Sequence, residues 1–158
     1  MNRLVTIAAF SLISSFALSS AFADQPSLMQ MIAQWKFPDS TMNGAEMSDG
    51  ATIGPDGERT IPSIVCKTVM TTDASVGQVL QFYKAKLTPK TTNGNDAVDK
   101  SKSGGRSVVF SDDSDGRPFA MHTILVNTSD TSTSIVITRG NDESKTFIGW
   151  KHYRRFAN

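Results

Sequence analysis

The sequence predicts an α+β protein: an antiparallel sheet with one main helix packed on one face and a short N-terminal helix. Three observations carry this. "DASVGQVLQFYKAKL" places Val76, Val79, Leu80, Tyr83 and Leu87 on one helical stripe. "RSVVF", "PFAMHTILVN", "STSIVITR" and "KTFIGWKHY" follow as period-two runs between polar turns, the pattern of a four-strand meander. Ahead of the helix, "TIPSIVCKTVMTT" reads as one earlier strand of about ten residues. Helix and strand signals that segregate along a chain argue for α+β.

The chain opens on an export signal. Arg3 supplies one positive charge, "LVTIAAFSLISSFALSS" is mostly apolar and uncharged, and Ala21-Phe22-Ala23 has small residues where a signal peptidase cuts. A spanning helix needs about 20 predominantly apolar residues. Ser11, Ser14 and Ser15 dilute this one, so the expectation is cleavage near Ala23 with no stable membrane insertion afterwards. Residues 24–158 then form a single domain. Segment 1–23 holds one of the 16 Lys and Arg residues and none of the 15 Asp and Glu residues. The remainder is formally neutral, which disfavours a nucleic-acid partner. Cys66 is the sole cysteine, so no internal disulfide supports the fold, and its β-branched setting marks it as a small buried hydrophobe.

In "SLMQMIAQWK", Leu28, Met31, Ile32 and Trp35 share a helical face, Ser27 can cap it and Pro38 ends it. Residues 39–60 are rich in Gly, Ser, Asp and Thr, with room for a short strand near Ala45–Ser48 and a turn in "GPDGERT". In the next strand Ile64, Cys66 and Met70 point one way and Val65 and Val69 the other. Asp73 is the expected N-cap of the main helix, with Lys84 and Lys86 near its C-terminal end. Residues 88–105 read as a long mobile loop. In the last strand Ile148, Trp150 and His152 share one face, and Phe147 and Tyr153 the other.

The stretches "TTDASVGQVLQFYKAKL", "GGRSVVFSDDSDGRP" and "SIVITRGNDESKTFIGWKHY" resemble a family of small exported bacterial proteins of planctomycete type. The resemblance covers about residues 60–155. It implies the same fold and an envelope location, and it carries no activity and no catalytic residue.

Little in the chain looks like chemistry. "SDDSDGRP" suggests a calcium loop, but with Gly116 at position 6, position 1 is Ser111 and position 12 is His122 rather than a bidentate Glu. A hairpin turn is expected, with weak calcium binding at residues 112–115 as the alternative. Cys66, His122 and His152 match no zinc signature and no nucleophile arrangement legible from spacing. "KSGGR" precedes a strand, so it is no phosphate cradle. The reading is an exported non-catalytic binding module of the cell envelope, with no cofactor and no metal. Its partner would be an envelope protein or polysaccharide, and Phe147, Trp150, His152, Tyr153 and Arg154 its binding residues. A competing reading places the aromatics in the core against "QVLQFY". The alternative function is a small envelope hydrolase using His122 or His152.

Overall fold

Among the described residues, six antiparallel strands form one open sheet, with two helices against a single face of it. The computed structural model describes residues 27–88 and 105–156. The expected signal, its cleavage point at Ala23 and most of the expected loop lie outside the described residues. In chain order the elements are α1 (Leu28–Ala33), β1 (Thr41–Ile53), β2 (Arg59–Thr72), α2 (Val76–Leu87), β3 (Ser107–Asp112), β4 (Phe119–Asn127), β5 (Thr131–Gly140) and β6 (Thr146–Arg155). The strand order across the sheet is β1-β2-β6-β5-β4-β3.

Register decides which side is buried. Met70 of β2 faces Ile148 of β6, which faces Ile137 of β5, which faces His122 of β4. That side also carries Cys66, Ile124, Val126, Ile135 and Trp150, and it forms one core with Met31, Ile32, Val79, Tyr83 and Leu87 of the helices. Each such side chain contributes about 1.5–3 kcal/mol on burial. The Tyr83 hydroxyl donates to the Trp35 carbonyl at 2.7 Å, and Phe37 meets Phe82 edge-on at 5.2 Å. These contacts fasten the segment after α1 to α2.

Both helices start on a capping box, Ser27 with Gln30 and Ser75 with Gln78. Each serine hydroxyl accepts from an otherwise orphaned N–H, and each glutamine reaches back to the cap. The expectation that Asp73 caps α2 is therefore corrected. Asp73 pairs instead with Lys145 at 3.0 Å, on the surface. The short strand expected near Ala45–Ser48 is in fact the 13-residue β1, which pairs along β2 and makes the sheet six-stranded. It turns into β2 at Gly54–Glu58, where Gly57 takes φ +82°, a conformation glycine accepts without Cβ strain. An irregularity between Met42 and Ala45 bends β1, and the Thr68 hydroxyl donates to the Gly44 carbonyl there.

"SDDSDG" connects β3 to β4. The Asp112 carboxylate accepts from the Ser114 N–H at 3.1 Å, the Ser111 hydroxyl donates to Asp113 at 2.9 Å, and Gly116 takes φ +68°. Those are the local bonds that make Asp, Ser and Gly turn residues.

Candidate functional site: the open face of the sheet

Alternation along β6 sends Phe147, Gly149, Lys151 and Tyr153 to the side away from the helices. Their cross-strand neighbours are Thr71, Val69, Lys67 and Val65 on β2 and Thr138, Val136, Ser134 and Ser132 on β5. Neither helix covers this side, and Val69 stays 43% exposed although β2 has a strand on each side of it. Val109 and Leu125, register partners on β3 and β4, extend the apolar surface toward the far edge.

The surface is hollowed at Gly149. A depression of about 550 Å³ is lined by Gly149, Val69 and Val136, by Lys67 and Lys151, and by β1 from Asn43 to Glu46. A second hollow of about 370 Å³ continues past Lys151 to Val65, Ser132 and Tyr153, and shares Ser134 with the first. A third, of about 430 Å³, lies beyond Phe147 against Phe119 and Thr138.

Charge is concentrated at the middle of this groove. Lys67 and Lys151 are direct cross-strand partners. Glu46 holds Lys67 at 2.9 Å, while Lys151 has no ion-pair partner among the described residues. Like charges placed opposite one another on a sheet face repel. The arrangement can therefore hold an apolar body and attract a negative group.

The five residues expected to bind do not share one surface, because alternation divides them. Phe147 and Tyr153 lie on the open face, both partly buried. Trp150 is in the core at 1% exposure, and its indole N–H finds no acceptor among the described residues. His152 stacks on Trp150 with ring centroids 5.7 Å apart and planes 2° from parallel, and its Nδ1 lies 2.7 Å from the Thr133 hydroxyl. Burial, joined by the nearby Arg154 guanidinium, pushes the His152 imidazole below its ordinary pKa. Arg154 lies on the His152 side of the strand, with its guanidinium over the Phe156 ring. Of the three aromatics, only Trp150 completes the core beneath the helices.

The groups for catalysis are spread along the helix side of the sheet. Cys66 stands opposite His152 in register, but burial pushes its thiol up, the reverse of what a nucleophilic thiolate needs. His122 meets Asp112 across β4 and β3 at 3.4 Å, with the imidazole 15% exposed. Hydrogen bonds from Ser114, its side chain first, and then the nearby His122 hold the Asp112 carboxyl below the usual range. No group of three or more His, Cys, Asp or Glu among the described residues is placed to hold a metal ion.

Sequence reading missed Gly149 in the lining and Lys67 and Lys151 as a pair. The available signal was a glycine in the middle of the apolar run "FIGW", since glycine inside a strand often marks a close approach. No family model, curated protein or solved structure matches the chain. No helix among the described residues is long and apolar enough to cross a membrane.

Proposed function

We propose that the protein is an exported, non-catalytic binding module of the cell envelope, which takes its ligand on the open face of its sheet. The observation that carries this reading is the uncovered groove along β6, apolar at Val69 and Val136 and cationic at Lys151. Natural sheets left bare on one side present polar residues to water, and exposed apolar patches mark places where something docks. The resemblance to exported planctomycete-type proteins and the signal sequence support the location. N-terminal sequencing of the protein recovered outside the cytoplasm is expected to begin at Asp24.

The binding reading is tested by immobilising the purified protein against extract of its own envelope. A protein or polysaccharide is expected to be retained, and to be lost when Val69 and Val136 are both changed to Glu. Equal retention by that variant, or none by the parent, would sink the reading.

The hydrolase reading keeps one observation in its favour, the His122–Asp112 pair. Any ester or glycoside hydrolysis by the purified protein that His122→Ala abolishes would move the function there.

A further inference from the structure

We propose that the depression over Gly149 is a site for one amphiphilic anion, with its apolar chain or ring on Gly149 between Val69 and Val136 and its carboxylate at Lys151. The assignment rests on the reading of the open face as a binding surface and adds a small ligand to the envelope partner which that face would take. Its first support is the glycine itself. A Cβ at Gly149 would meet nothing closer than the Val136 carbonyl oxygen, at 3.8 Å, which is ordinary contact. Neither clash nor positive φ requires glycine there. Glycine within a strand weakens it through backbone entropy and the missing side chain. What the missing side chain provides is the hollow.

Charge supplies the second support. Lys67 and Lys151 face each other across β2 and β6, and Glu46 offsets only the first. One positive charge is left in the trough, and an anion bound there relieves the repulsion between the two lysines. The size fits as well: about 550 Å³ falls within the roughly 300–1,000 Å³ of small-molecule sites. Val69 and Val136 suit an aliphatic chain or a flat ring, while the carboxylate of Glu46, also in the lining, is held by Lys67. A single unpaired cation is too little for a polyanion, whose affinity grows with the number of charges neutralised.

The test uses three ten-carbon amphiphiles below their self-association concentrations: decanoate, decanol and decyltrimethylammonium. Each is titrated into the ¹⁵N-labelled purified protein. Decanoate is expected to saturate and to move the amide resonances of Val69, Val136, Gly149 and Lys151. Decanol should bind about tenfold more weakly, as loss of one charge-assisted contact implies, and the cation should show no saturable shift. Lys151→Gln should weaken decanoate about tenfold and leave decanol unchanged. Gly149→Val should abolish both without lowering the melting temperature. Equal affinity for decanoate and decanol, both lost in Gly149→Val, would overturn the anion assignment while the open face stands as a binding surface. If no amphiphile moves those resonances, or Gly149→Val changes nothing, the site itself is overturned and the open-face reading loses its main support.

Discussion

Trp150 carries its indole N–H into the core without an acceptor among the described residues. An unpaired buried donor costs about 1–3 kcal/mol, which offsets part of what burying the ring contributes. Trp150→Phe removes the donor along with some volume, so its net cost should stay under about 2 kcal/mol, against about 2–5 kcal/mol for Ile135→Ala beside it. Urea unfolding of the two variants checks this, and a larger loss for Trp150→Phe would mean that the N–H is satisfied. His152 predicts a pH effect. Its folded pKa is depressed, so the unfolded chain binds the extra proton first as pH falls. Stability should be complete above the unfolded value of about 6.5 and should decline as pH drops below it. His152→Asn should flatten that decline in melting temperature. A decline of unchanged slope would place its cause elsewhere. At this scale the sequence showed which side chains of β6 alternate, but not that Trp150 would be enclosed and Tyr153 left at the surface. Both are aromatic, and only the position of the helices separates them.

The two capping candidates before α2 differ in what they should contribute. Ser75→Ala removes the hydroxyl that accepts from the Gln78 N–H and should cost about 1 kcal/mol. Asp73→Ala breaks only an exposed pair with Lys145 and should cost less than about 0.5 kcal/mol. Chemical denaturation of both variants ranks them, and the reverse order would restore Asp73 as the cap. Sequence alone favoured the charged residue. The register of the cap is fixed by Gln78 three positions after Ser75, a spacing that was present but went unread. The main helix and the runs that became β4, β5 and β6 were legible because their apolar spacing is regular over many residues. β1 was not. "TMNGAEMSDGATI" holds residues that strands avoid, and it is extended because β2 supplies a partner along its length. The candidate site is similarly half-legible. Gly149 and Lys151 stand in the sequence, but Lys67 meets Lys151 only through the pairing of β2 with β6, which α2, β3, β4 and β5 separate in the chain.

The molecule is a one-sided sheet, and substitutions on its two faces should differ accordingly. Ile148→Ala on the helix side should cost about 2–5 kcal/mol through the cavity it leaves. Leu125→Ala on the open side should cost less than about 1 kcal/mol, because no layer packs over it among the described residues. Comparable losses at the two positions, read by thermal unfolding, would show that something covers the open face in solution. Which face is covered could not be read from alternation, since β2 and β6 carry apolar residues on both. The order of the strands makes the sheet depend on β6. β6 follows the other five described strands in the chain yet lies between β2 and β5, so without Thr146–Arg155 the two halves of the sheet share no strand contact. The β1–β2 hairpin joins the rest of the sheet through β6 alone, so the fold is set by contacts between distant parts of the sequence. A truncation before Thr146 should yield two unpaired sheet fragments rather than a smaller version of the domain.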